Sequence, residues 1–410
     1  MIRKFMSNIS LFKIFVFMIL IFIFIYFAYN YLFGITFLNS YYDLFGHISS
    51  DLKDSINWCA NLDPYRSQID QHMSFPYPPL IVLFYYIISI FVSPIEYTKD
   101  NIMITADSNY LLFYVVFTII QVSIIAFCYS VIYKRYKKDV YCDSKTLFIS
   151  VVFVISYPFL FALERGNSLV LTYMFLLIFL AYYGSDNKIA NEVSLIALAI
   201  SANIKLYPVF YGLLLLKKNN ARDIVKAIVY GIILFLVPFF FLKGGFLNSF
   251  NAFLAEFTAY NSTDGLYHNL SLMGIVYTLF SKYSFISWKM VYYILLLIAC
   301  PIIILNTIFD KKTYNKLLFI YLLILCLGRV GRYVHAFCFI PIIYLLCTED
   351  KVDKENLFVL IICIIFSIYY QLLKFNLFII LYMALFLLVL YTLFKFINIV
   401  KNFAPYVKNE

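Results

Sequence analysis

A polytopic, all-α membrane protein is the fold class this sequence predicts, and three observations predict it. Of the 410 residues 64% are hydrophobic and only 13% charged, with a mean hydropathy of +0.87. A water-soluble chain of this length needs far more polar residues to clothe its surface. Several continuous apolar runs reach the roughly 20 residues that cross a hydrocarbon core of about 30 Å. None alternates with the period of two that a membrane β-barrel demands.

Charge then orients the elements in order. Lys and Arg number 32 against 22 Asp and Glu, for a net charge of +10. They sit in short clusters between apolar runs, the cytoplasmic excess typical of membrane proteins, so no nucleic-acid partner is expected. Arg3, Lys4 and Lys13 precede or open the first run, 11–34. That run is too long for a signal-peptide core and lacks a small-residue cleavage pattern, so it is a span with a cytoplasmic N-terminus. The first extracytoplasmic loop, 37–108, follows. Over residues 39–80 it sets Asp43, Asp51, Asp54, Asp63 and Asp70 against only Lys53 and Arg66, an acidic segment on a basic protein. Run 77–94 is expected to be juxtamembrane or re-entrant. Were it a span, the next one (110–133) would export Lys134, Arg135, Lys137 and Lys138.

The remaining runs alternate across the membrane: 146–163, 168–183, 189–204, a short 207–216, and 224–242. A second extracytoplasmic loop, 243–285, holds a surface segment at 272–280. Then come 288–308 with Trp288 as interfacial anchor, 317–334, 337–346, 356–370 and 377–396. The expected total is about 12 spans, with both termini cytoplasmic and residues 1–410 forming one integral membrane domain. The 8 cysteines include no CxxC pair, which predicts neither a disulfide framework nor a metal site.

With this topology the polar groups in or beside apolar runs fall mostly outside: Asp43, His47, Asp63, His72, Glu164, Arg165, Asn167, Lys205, Asp264, His268, Arg329, Arg332 and His335. Ionisable groups at membrane depth face a cavity, a partner or a substrate. One-sided clustering predicts an outer-leaflet active site rather than a pathway through the membrane.

Individual residues leave alternatives open. On a helix Asp43 and His47 share one face; Asp43 suits a general base for a sugar hydroxyl and equally a helix cap. Asp63-Pro64-Tyr65 reads as a turn. Tyr77-Pro78-Pro79 opens a helix whose free N–H groups suit an anion. Lys205, in SANIKLYP, is either a snorkelling lysine or a point charge for a lipid-linked phosphate. Arg329, Arg332 and His335 form one slanted stripe if helical, suited to phosphate or to carboxylates elsewhere in the bundle. The N-x-S/T matches at Asn261 and Asn269 are short enough to be chance. No Walker, DxD or HExxH motif occurs, so no cytoplasmic nucleotide-sugar site is predicted.

Taken in order, these elements resemble a family. An Asp in the first loop is followed by DPY at Asp63 to Tyr65 and F-x-YPPL at Phe75 to Leu80. RGN at Arg165 to Asn167 opens a span, and IKLYP at Ile204 to Pro208 precedes a basic cytoplasmic turn. An external N-x-S at Asn269 and a late His-containing span close the set. The pattern is similar to the GT-C fold glycosyltransferases that use polyprenyl-phosphate sugars, close to the GT87 mannosyltransferases, and covers most of the chain to about Leu346. RGN stands where GQxN is usual, and RVGRYVHAF replaces an acidic or tryptophan-containing late motif.

The resemblance implies a GT-C-like architecture and inverting transfer of a mannose-like hexose. The donor would be a polyprenyl-phosphate sugar and the acceptor a glycolipid or glycan, on the extracytoplasmic face of a bacterial inner or plasma membrane. The family's catalytic aspartate would fall on Asp43 as general base and its late histidine on His335. Lys205, Arg329, Arg332, Arg165, Asn167 and Tyr77 would meet the donor phosphate, with His47, Asp63, His268 and Asn269 on the acceptor side or supporting. No cofactor and no metal is expected, since the cations stabilise the leaving phosphate. A prenyl-linked polysaccharide polymerase or ligase would shift weight from Asp43 to Arg329 and Arg332. A lipid-linked glycan transporter predicts paired discontinuous helices and charges in both membrane halves, which the one-sided clustering disfavours.

Overall fold

The computed structural model describes residues 10–33, 49–65, 75–92, 108–137, 142–218, 221–260, 266, 269–283, 287–328, 330–368 and 377–407. Among them every regular element is helical. The chain begins with α1 (Leu11–Phe33), α2 (Ser50–Cys59), α3 (Pro79–Phe91), α4 (Ser108–Tyr136), α5 (Cys142–Val154) and α6 (Tyr157–Glu164). Next come α7 (Leu169–Tyr182), α8 (Lys188–Ile204), a 3₁₀ segment Tyr207–Lys218, α9 (Ala221–Leu236), a 3₁₀ turn Val237–Phe241 and α10 (Gly245–Tyr260). The last part holds α11 (Leu272–Phe280), α12 (Trp288–Phe309), α13 (Thr313–Cys326), a 3₁₀ turn Arg332–Cys338, α14 (Phe339–Thr348), α15 (Lys354–Ile368) and α16 (Leu377–Val407).

Among the described residues four helices are long and apolar enough to cross a membrane: Asn109–Tyr136, Ala221–Phe241, Trp288–Phe309 and Leu381–Asn402. A fifth arises if Asp143–Val154 and Tyr157–Glu164 form one bent span. Of the other runs among the roughly 12 expected that the structure describes, α1 has 23 residues and the rest form shorter helices. Outward-facing apolar side chains recur at helical spacing: Val115, Val116, Ile119 and Ile120 on α4, Ile228 and Ile232 on α9, and Phe386, Leu390 and Phe394 on α16 are exposed. Such stripes belong against lipid rather than water. The protein is an integral membrane protein built of helices.

Three expected spans take a different form. Run 146–163 is two helices, α5 and α6, bent by 65°. Pro158 sits in the first turn of α6, and Ser156 turns its hydroxyl onto the Phe153 carbonyl at 2.6 Å, so the helical ladder breaks there. Run 207–216 is a 3₁₀ segment, Tyr207–Lys218. At about 2.0 Å rise per residue it reaches about 24 Å, where an α-helix of the same length would reach about 18 Å. Run 317–334 ends as helix at Cys326. Gly328 takes φ 60°, a left-handed conformation that stops the α-helix. Arg332 and His335 lie on a separate 3₁₀ turn, and Arg329 of the expected helical stripe lies outside the described residues.

The chain separates into two compact units. The first comprises Met1–Gly46, Ser130–Leu160 and Gly265–Glu410. Its α13 and α14 are buried along almost their whole length. A polar clasp joins the ends of α12, α13 and α15 to the middle of α16 in this unit. Glu355 accepts from Lys312 at 3.0 Å, Asn315 at 2.7 Å and Tyr391 at 2.8 Å, and pairs with Lys395. Lys395 also reaches Asp310 at 3.2 Å. Burial alone would raise the Glu355 carboxyl, but these donors outweigh it and hold it down at about 2. The second unit comprises His47–Tyr129 and Phe161–Asp264, and most of the sequence motifs converge in it.

Candidate functional site

The RGN turn is the hub of the second unit. Residues 162–167 close α6 with a Schellman motif: Asn167 N–H donates to the Ala162 carbonyl at 2.8 Å and Gly166 N–H to Leu163 at 2.9 Å. Gly166 adopts φ 62°, and a Cβ there would lie 2.6 Å from the Leu52 Cβ. Only glycine satisfies both the conformation and the close approach. The start of α2 is stitched to this turn through its backbone. Ser49 N–H donates to Glu164 O at 2.6 Å and Leu52 N–H to Arg165 O at 3.2 Å.

That stitching brings Asp51, in the first turn of α2, against the motif's side chains. Arg165 donates to Asp51 Oδ1 from Nε at 2.9 Å and from Nη2 at 2.6 Å, while Asn167 Nδ2 donates to Oδ2 at 2.6 Å. Asn167 Oδ1 accepts from Leu169 N–H at 2.9 Å, fixing the entry to α7. The Arg165 guanidinium also lies 5.5 Å from the Phe161 ring centroid. Both oxygens of Asp51 accept charge-assisted or amide hydrogen bonds, so it orients Arg165 and Asn167.

A second chain of contacts runs from the DPY turn. The buried Tyr65 donates its hydroxyl to the Tyr77 carbonyl at 2.7 Å, and Leu62 O accepts from Lys243 N–H at 3.1 Å. Phe75 packs edge-on against Trp58 and Tyr77, with ring centroids 5.8 and 4.9 Å away, and its N–H donates to Glu256 at 3.2 Å. Tyr77 is thereby held under Lys205, whose Nζ lies 5.1 Å from the ring centroid. Lys205 follows the last turn of α8 and is 6% exposed. Burial pushes its ammonium down to about 7, with the Asp51 carboxylate pulling the other way. Asp63 is half-buried at this turn, and its N–H donates to Asn61 Oδ1 at 3.0 Å.

A narrow cleft adjoins the hub. Asn167, Thr118 and Gln121 are among its polar lining residues, and Leu52, Phe84, Phe117 and Leu171 among its apolar ones. Chemically, the second unit offers a desolvated cation on an aromatic face and an oriented guanidinium. An apolar cleft adjoins the RGN turn. An anionic headgroup attached to a hydrocarbon chain fits such a set.

In the first unit Arg332 heads its 3₁₀ turn and is exposed, whereas His335 is 1% exposed. His335 Nδ1 lies 2.5 Å from the Tyr321 hydroxyl, and its ring stacks on Phe366 at 5.7 Å. Asn269 bonds to the backbone of Val330. Asp43, His47, His268 and Arg329 lie outside the described residues. Among the described residues no three His, Cys, Asp or Glu side chains gather as a metal would require.

Asp51 is the residue that reading the sequence missed. Nothing local marks it among the loop's aspartates; its role comes from Arg165 and Asn167, far along the chain. The family model for glycosyltransferase family 87 matches residues 75–330, more than half of the chain. The match takes in the YPPL, RGN and IKLYP motifs and ends at Val330, while Asp51 precedes it. Among curated proteins none matches the chain.

Proposed function

This chain belongs to glycosyltransferase family 87, and on that premise we propose that it transfers a hexose, mannose-like, from a polyprenyl-phosphate donor to a glycolipid or glycan acceptor. The observation that supports this most is Lys205, buried over the Tyr77 ring within the field of Asp51. A lysine whose ammonium is weakened by burial gains most from an incoming anion, because the anion restores its charge. Lipid phosphate leaves as a stabilised anion and needs cations rather than a general acid.

In this reaction the acceptor hydroxyl attacks the anomeric carbon from the face opposite the phosphate, and configuration inverts. The hydroxyl proton passes to the Asp43 carboxylate as general base. The bond from the anomeric carbon to the phosphate oxygen breaks, and polyprenyl phosphate departs with the electron pair. Lys205 meets the developing phosphate charge, and Arg165 and Asn167, held by Asp51, line the same unit. The apolar surface of α3, α4 and α7 beside the cleft receives the first isoprene units. In the first unit Arg332 offers a further cation to an anionic group. We place the reaction on the extracytoplasmic face, with about 12 membrane passages, long and short, and both termini cytoplasmic.

The test is Asp43→Asn, assayed in membranes supplied with radiolabelled mannosyl polyprenyl phosphate. Transfer should fall at least a hundredfold at unchanged protein level. Near-normal transfer would remove Asp43 as the base.

A further inference from the structure

Gly328, Val330 and Gly331 lie between the end of α13 at Cys326 and the 3₁₀ turn that begins at Arg332. The ladder of α13 does not reach Val330, which is only 8% exposed, so its peptide groups need partners from elsewhere. Asn269 supplies both for Val330. Its Nδ2 donates to the Val330 carbonyl at 3.0 Å, and its Oδ1 accepts the Val330 N–H at 3.3 Å. One carboxamide thus mimics a paired strand residue. A second side chain acts just upstream: the Tyr292 hydroxyl accepts from Gly328 N–H at 3.3 Å and donates to the Cys326 carbonyl at 3.2 Å.

Asn269 is itself built into place. Its Oδ1 also accepts from Ser271 N–H at 3.0 Å, and Ser271 caps α11 by accepting from Gly274 N–H at 3.1 Å. A Cβ on Gly274 would stand 2.5 Å from both the Cβ and the carbonyl oxygen of Asn269. That position must be glycine for the Asn269 segment to lie over α11. The N-x-S sequence at this site is therefore accounted for by folding, with the amide nitrogen bonded to backbone.

We propose that Asn269 is a positioning residue. It pins the backbone of the arginine-bearing segment at Val330, so that Arg332 is presented to the phosphate of a lipid-linked sugar at low conformational cost. The proposal rests on Arg332 being a phosphate contact, as put forward above. A carboxylate in place of the carboxamide would still accept from Ser271 N–H but lose the donor to the Val330 carbonyl. It would also turn an oxygen toward the Val330 carbonyl, so Asn269→Asp should behave like Asn269→Ala rather than like the wild type.

Two readouts on the full-length protein in lipid nanodiscs separate the clamp from the phosphate contact. Hydrogen exchange of the 327–333 peptide should speed up at least tenfold at the Val330 amide in Asn269→Ala and Asn269→Asp, with exchange in α13 unchanged. Equilibrium binding of polyprenyl monophosphate should weaken about tenfold in either variant. Combined with Arg332→Ala, Asn269→Ala should add little further loss, because both act on one contact. Unchanged exchange at Val330 overturns the clamp. Losses that multiply in the double variant overturn its coupling to Arg332. Wild-type binding by Arg332→Ala alone overturns the phosphate contact on which the proposal rests.

Discussion

Arg165 spends two N–H groups on a single oxygen of Asp51, at 2.9 and 2.6 Å. The two side chains are 28% and 22% exposed, so the pair is only partly screened by solvent. Deleting the carboxylate leaves a half-buried guanidinium and the Asn167 amide without their acceptor. Asp51→Ala should therefore destabilise the protein by about 2 kcal/mol, read as a lower thermal midpoint in detergent. Asp51→Asn keeps the shape but not the charge, and should lie between the two.

Gly166 gives a sharper stability test. It combines φ 62° with a Leu52 Cβ that would sit 2.6 Å from a new methyl group. Gly166→Ala should cost at least about 1–2 kcal/mol from backbone conformation alone, and more because α2 must move away from the RGN turn. Gly231, where an added Cβ meets nothing within 4 Å, is the control. Gly231→Ala should leave the thermal midpoint unchanged or raise it.

The lowered Lys205 ammonium, at about 7, predicts a pH dependence of donor binding. Below that pH the free site is already protonated. Above it, phosphate binding must take up a proton, so affinity for polyprenyl monophosphate should fall by up to about tenfold per pH unit. Lys205→Arg should flatten the profile, because arginine stays charged. Asp51 favours the protonated form, so Asp51→Asn should move the midpoint to lower pH. Stability has the opposite sign. The unfolded lysine holds its proton to about pH 10.4 and the folded one does not, so this group adds stability as pH rises from about 7 toward 10.

Hydropathy and charge made the helical membrane class legible, because burial in lipid acts on composition over whole runs. Motif order made the family legible as well. Breaks inside apolar runs were harder to see. Pro158 marks where α5 and α6 part, yet prolines also sit within continuous helices here, as Pro301 does in α12. The 3₁₀ form of Tyr207–Lys218 has the same apolar composition as an α-helix would. In the site, the sequence singled out Arg165, Asn167, Tyr77 and Lys205, whose polarity stands out against apolar neighbours. It could not rank Asp51 above the other loop aspartates, since its partners lie more than a hundred positions away. Asn269 was legible as a motif but not in its role, which depends on the backbone of Val330.

The most direct measurement is hexose transfer by the purified protein in nanodiscs, from mannosyl polyprenyl phosphate and from a nucleotide sugar, for the wild type, Lys205→Arg and Lys205→Gln. The account predicts transfer from the lipid-linked donor only, with kcat/KM reduced at least a hundredfold in Lys205→Gln and substantially less in Lys205→Arg. Transfer from the nucleotide sugar, or a Lys205→Gln protein as active as the wild type, would contradict it.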